Sequence, residues 1–321
     1  MTNAVGFSPN FKPPTILQWN LTLEHQVRAG ILLHMGYEAS ESYHMFDSRD
    51  VNAATANVRP FTAQGYGGTV ILNESTVTSS YNSMVLSAEK RMTGGLSFLG
   101  GFRWAKCLDL AGSTASFSIN EFTDAKNSSV DRGICNSDIA TQFKMAAVWN
   151  IPTMRSLGFV GRHILNGWTT SGILSQHAGY PFSINANGDR NEDGTVNDRA
   201  DLVAVNPYLP GNRDHAAKLQ EWFNTSAFAN PALGSDGNTS RNFLRGPRFV
   251  NLDFALVRSF SMPFGPFKEG QKLNFRAEAF NLLNHPNFDN PDAAIGDGPQ
   301  FGRILSAESP RIMQVALKYS F

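Results

Sequence analysis

Asp189, Asn191 and Asp193, followed at once by Gly194, are the residues of this sequence best suited to chemistry. Oxygen side chains at the first, third and fifth positions of a loop point inward, and a glycine at the sixth permits the sharp turn. The run Asp189-Arg-Asn-Glu-Asp-Gly194 therefore matches the first half of a calcium loop. The twelfth position, where a bidentate Glu normally closes such a loop, is Ala200; Asp198 and Asp201 are the nearby carboxylates that can substitute for it. Calcium is thus the one cofactor these residues suggest. The competing reading is an Asp/Asn-rich turn whose side chains accept hydrogen bonds from its own backbone.

Enzymatic chemistry finds no comparable support. His25, His34, His44, His163, His177, His215 and His285 show no metal-ligand spacing, and none has a nearby Ser or Cys in a recognisable nucleophile setting. No glycine-rich phosphate loop precedes a helix. The chain is read as a non-enzyme. Its 27 basic and 27 acidic residues cancel without forming a basic face, so nucleic acid is not an expected partner.

The elements that must position these residues are strands. In the last stretch, Met313, Val315, Leu317, Tyr319 and Phe321 fall on one face, and Ile312, Gln314, Ala316, Lys318 and Ser320 on the other. An apolar face backed by a mostly polar one fits a wall between lipid and water, with Tyr319 and Phe321 at the interfacial end. No run of about 18 apolar residues exists, which excludes a transmembrane helix but not a transmembrane strand. The start, Met1 to Asn10, has no signal-peptide pattern.

Taken in order, residues 1–13 read as a loop or the start of a fragment, and 14–321 as barrel wall. Hairpins are expected over 15–26 with 30–39, 80–91 with 96–106, 141–150 with 163–177, and 249–260 with 271–282, before the terminal strand. Between them lie polar loops at 40–78, which can hold a small hairpin at 69–72, and at 107–139, 178–248 and 283–309. A short helix is expected within 213–223. This makes about nine long strands, with short turns at one end and long loops at the other.

The terminal strand ending on Phe321 resembles the assembly signal of outer-membrane β-barrels. Phe275-Arg-Ala-Glu-Ala-Phe-Asn-Leu-Leu-Asn-His-Pro-Asn-Phe288 resembles a strand near the end of TonB-dependent receptors. Ahead of it, Tyr81-Asn82-Ser83 with Glu89-Lys90-Arg91, Gly94-Gly-Leu-Ser-Phe98, Gly167-Trp168 with Ser171-Gly172-Ile173, Asp189-Arg-Asn-Glu-Asp-Gly194, Trp222-Phe-Asn-Thr-Ser-Ala-Phe228 and Leu244-Arg-Gly-Pro247 come in an order that resembles the Oar-like subgroup. The resemblance covers only the C-terminal portion of such a receptor. It implies an all-β, antiparallel up-and-down transmembrane β-barrel of the outer-membrane type, incomplete, with roughly nine of about 22 strands and edges that do not meet. It also implies location in the cell outer membrane and import of a bulky substrate. The partners implied are outer-membrane lipid, the barrel-assembly machinery and the TonB complex, the last through a missing plug. The alternative is a secreted or surface all-β calcium-dependent binding protein.

On this topology Cys107 and Cys135 stand at the two ends of one outer loop, where a disulfide is permitted; the alternative is two unrelated thiols. Arg103, Asp253, Arg276 and Glu278 fall on polar strand faces and are expected to face the lumen, either on a transport path or in a solvated ladder. Deleting Phe321, or replacing it with a charged residue, should lower the surface level of the intact receptor. Normal levels by surface labelling would count against an assembly signal at Tyr319 and Phe321.

Overall fold

The structure, a computed structural model, describes residues 2–110, 122–153, 158, 165–261 and 271–320. Its first strands are β1 (Ala4–Phe7), β2 (Thr15–Val27), β3 (Ile31–Asp50), β4 (Val70–Thr93), β5 (Leu96–Asp109), β6 (Gly133–Ile134), β7 (Thr141–Asn150) and β8 (Trp168–His177). Short strands β9 (Pro181–Phe182), β10 (Asp201–Leu202), β11 (Phe228–Ala229) and β12 (Leu244–Arg245) follow within one long connection. The chain ends with β13 (Phe249–Ser261), β14 (Lys272–Phe280) and β15 (Ile312–Ser320).

Among the described residues, nine long strands form one antiparallel wall in the order β15-β14-β13-β8-β7-β5-β4-β3-β2. Each is bonded to its neighbour along the chain, as an up-and-down barrel requires. The wall does not close, because β2 and β15 stand at opposite ends of that order.

Register decides the faces, since directly paired residues point the same way. Leu21 pairs Tyr37, Tyr37 pairs Met84, Met84 pairs Trp104, and Phe102 pairs Phe143. Further along, Leu174 pairs Leu252, Phe254 pairs Ala279, Phe275 pairs Leu317 and Leu273 pairs Tyr319. One continuous face is therefore apolar, and it includes Leu23, Phe98 and Val315. Its side chains are left open, with Leu21 at 64% exposure, Leu317 at 65% and Val315 at 68%. An apolar face of this extent is stable only against lipid or another apolar partner.

Aromatic side chains border that face. Trp104 lies near the loop end of β5, and eight residues away Leu96 pairs Trp149 near the turn end. Eight residues span about 27 Å along a strand, which a barrel tilt of roughly 40° reduces to about 21 Å across the membrane, so the two rings lie just inside the edges of the ~25 Å apolar band of an outer-membrane barrel. At the turn end Trp168 sits edge-on to Phe275, with ring centroids 5.7 Å apart. Arg258 lies over the Phe260 ring at 4.3 Å, covering its charge with aromatic surface.

Turn chemistry fits the same plan. Between β4 and β5 only Gly94 and Gly95 intervene, both at positive φ (62° and 81°), the geometry of a two-residue hairpin turn that side chains resist. At the other end β3 and β4, 20 and 24 residues long, run well past the 9–11 or so residues needed to span a bilayer.

Several expectations need correction. Residues 1–13 are not wholly loop, because β1 pairs in parallel with the start of β4, Ala4 against Val70 through Phe7 against Asn73. The loop expected at 40–78 shrinks to residues 51–69, and residues 70–72 open β4 rather than a separate hairpin. Beyond the membrane a strand needs no lipid face, and register shifts between Ser42 and Asp47 break what alternation remains. The helix is confined to His215–Gln220, capped by the Asp214 side chain accepting from the Ala217 amide.

The two faces should respond differently to charge. Phe254→Arg on the apolar face should cost about 2–4 kcal/mol in a lipid unfolding titration of the intact barrel, falling off toward the interfaces. Ala255→Arg, one residue on and facing the other way, should cost much less. Equal costs would contradict the assignment of faces.

Candidate functional site

The loop end carries a folded cap with its own core. Phe182, Ile184, Ala200, Phe223, Ala227, Phe228 and Leu244 are buried together. Phe223 packs edge-on to both Phe228 (5.6 Å) and Phe301 (5.2 Å), so the 178–248 and 281–311 connections share one apolar centre. A second, smaller cluster joins Val77 of β4 to Phe122.

Charge and a crosslink fasten this cap to the wall. Cys107 on β5 and Cys135 are disulfide-bonded, with Cα atoms 5.4 Å apart and a sequence separation of 28. In the chain-entropy account, closing a loop of that length stabilises by roughly 3 to 4 kcal/mol. Arg199 pairs with Asp131, Arg241 with Asp109, and Arg245 with Asp138. These three pairs join the 178–248 connection to the segment around the disulfide. Arg199 and Asp131 are almost fully buried, at 6% and 1% side-chain exposure. Burial also pulls the Arg241 guanidinium down to about 10. Gly133 sits so close to Arg241 that a Cβ there would lie 2.7 Å from the Arg241 carbonyl oxygen.

The acidic loop lies within this cap. Asp189 accepts from the backbone N–H groups of Asp193 (3.1 Å) and Gly194 (2.8 Å), and the Asn191 side-chain oxygen accepts from Asp193 (3.1 Å). Asp193 Oδ1 accepts from the amide and hydroxyl of Thr195, at 2.8 and 2.7 Å. Asp198 Oδ2 accepts from the amides of Arg190 and Asn191. Asp193 Oδ2 and Asp198 Oδ1 are buried and have no hydrogen-bond partner among the described residues. Burial, followed by neighbouring carboxylates, raises the pKa of both Asp193 and Asp198. Asp201 stands apart, on β10, accepting from the Asn238 amide at 2.9 Å. The twelfth loop position, Ala200, is fully buried in the cap core. Among the described residues no three His, Cys, Asp or Glu side chains are grouped closely enough to hold a metal ion by themselves.

On the wall, Arg103, Asp253, Arg276 and Glu278 all lie on the polar face: Arg103 pairs Gln142, Asp253 pairs Ile173, Arg276 pairs Val257 and Glu278 pairs Gln314. Arg276 and Glu278 pair with each other, and Asp253 Oδ1 accepts from the amide of Asn281 at 2.9 Å. Tyr319 lies on the apolar face; Phe321 lies outside the described residues. An apolar groove of about 490 Å³ between Leu21, Leu23, Met35, Met84 and Trp104 lies on the apolar face, where acyl chains would fill it.

A wall with one apolar face, one polar face, short turns and a folded cap is the arrangement of an outer-membrane barrel, and a family model described as "Outer membrane beta barrel domain" matches residues 1–314. The chain belongs to that family. Its place is the cell outer membrane. Among solved structures, the outer membrane transporter YddB from Escherichia coli aligns with a TM-score of 0.52 at 9% identity, over 96% of this chain and 33% of that one. The copper transporter OprC aligns at a TM-score of 0.43 and 11% identity, over 97% of this chain and 32% of that one. No curated protein matches the sequence. The chain thus spans about a third of the length of these transporters.

Sequence reading missed the buried arginine pairs, since a lone Arg or Asp in a polar loop carries no local sign of burial. Replacing Asp131 with Ala leaves Arg199 buried and uncompensated, which should cost about 3–5 kcal/mol. Limited proteolysis should then cut the cap early while the wall stays protected. An unchanged cleavage pattern would show that the pair does not hold the cap.

Proposed function

We propose that this chain forms the C-terminal part of the barrel of a TonB-dependent outer-membrane receptor of the Oar-like subgroup. The receptor imports a bulky substrate through a plugged barrel, using energy delivered by TonB. The observation that carries this reading is the open nine-stranded wall, which aligns with about a third of a transporter's length. A barrel of about 22 strands is wide enough to need a plug and to pass a large solute. The motif order from Tyr81 to Pro247 supports the subgroup.

In this reading Arg103, Asp253, Arg276 and Glu278 line the lumen and meet either the plug or the solute. Lipid covers the apolar face, the assembly machinery reads Tyr319 and Phe321, and TonB acts through a plug that is not part of this sequence. A secreted calcium-dependent binding protein has no use for an apolar face running across nine strands, so that alternative is not favoured.

The test is uptake of a panel of labelled glycans, peptides and metal chelates by cells lacking the receptor, lacking TonB, or lacking both. The solute lost on receptor deletion should be lost equally without TonB, with no further loss in the double deletion. Receptor-dependent uptake that persists without TonB would overturn the proposal.

A further inference from the structure

The acidic loop of the cap contains a charge problem that the transport reading does not use. Asp198 has no exposure and Asp193 only 5%. Each carboxylate has one oxygen satisfied by N–H or O–H donors and one buried oxygen that faces no donor among the described residues. Asp193 and Asp198 repel each other, and Asp189 repels both; Asp124 adds to the field on Asp193. None of the ion pairs among the described residues involves Asp189, Asp193 or Asp198.

The nearby cations are engaged elsewhere. Arg190 donates to the Pro231 carbonyl at 3.0 and 2.7 Å, Arg199 pairs with Asp131, and Arg59, which approaches Gly194, pairs with Asp50 at 2.8 Å. Two buried carboxylates without a counter-charge are costly unless a cation joins them.

We propose that Asp193 and Asp198 are the two carboxylate ligands of a calcium site in the cap, built on the loop from Asp189 to Asp198. The idle oxygens supply the charge. Because no third His, Cys, Asp or Glu among the described residues joins them, the remaining ligands are amide oxygens, backbone carbonyls and water, which calcium accepts among its six to eight oxygens. Only two carboxylates and no bidentate Glu at position twelve place the site in the weak class of extracellular modules, with Kd on the order of 10⁻⁴–10⁻³ M. The site is independent of the import reading, since it requires only that the cap lie outside the membrane.

The experiment is calcium titration of the intact receptor in detergent, read by calorimetry and by trypsin cleavage at Arg190. One saturable calcium per chain is expected, with calcium slowing that cleavage. D193N and D198N should each weaken binding at least about tenfold, while D201N, whose carboxylate faces Asn238, should leave it unchanged. Should D193N or D198N disturb folding, the wild-type protein still decides: no saturable binding up to about 10 mM, or cleavage indifferent to calcium, overturns the site. So does unchanged affinity in both well-folded variants.

Discussion

The wall depends on one constraint: within hydrocarbon a backbone N–H or C=O has no water to bond, and each one left unpaired costs several kcal/mol. Nine neighbouring strands meet this by pairing with each other over long, nearly unbroken registers, such as Thr15–Val27 against Ile31–Tyr43 and Lys272–Phe280 against Ile312–Ser320. Once backbone pairing is fixed, the period of two leaves each strand one side chain for lipid and one for the interior. That is why Phe254 and Asp253 can be neighbours in sequence and lie in opposite media.

Beyond the membrane the constraint lapses, and different forces take over. There β3 and β4 continue for many residues with buried polar side chains, Asp47, Ser48, Asp50 and Asn73 among them, held by mutual hydrogen bonds such as Ser48 to Asn73 at 2.8 Å. The cap is organised around a small aromatic core, a disulfide and buried arginine–carboxylate pairs. Small cores rarely suffice alone, and here the crosslink between Cys107 and Cys135 starts on β5 itself, so the wall's rigidity is passed to the loops.

This division explains what the sequence made legible. Alternation in Leu17 to Leu23, Leu96 to Trp104 and Met313 to Tyr319 placed the wall strands and their faces, because lipid imposes that pattern residue by residue. Gly94-Gly95 announced its turn by the φ values it alone tolerates cheaply. The extensions of β3 and β4 and the parallel strand β1 were not legible, since no medium enforces a period on them and their partners are distant in sequence. In the acidic loop, spacing drew attention to Asp189, Asn191 and Asp193. Only the fold distinguishes Asp198, held against the turn by two amides, from Asp201, which faces Asn238.

The two edges carry the argument further. Neither the outer edge of β2 nor that of β15 has a partner among the described residues, yet both strands present fully lipid-compatible faces: Leu17, Trp19, Leu21 and Leu23 on one, Met313, Val315 and Leu317 on the other. An apolar face draws a strand into lipid, where an unpaired edge is least tolerable, so the two demands are met together only if further strands continue the sheet on both sides. The structure of this chain is therefore that of a wall segment. Its stability in the membrane is set by strands that must pair with β2 and β15, while the cap, which closes its own aromatic core, draws on the wall for its footing through the crosslink that starts on β5.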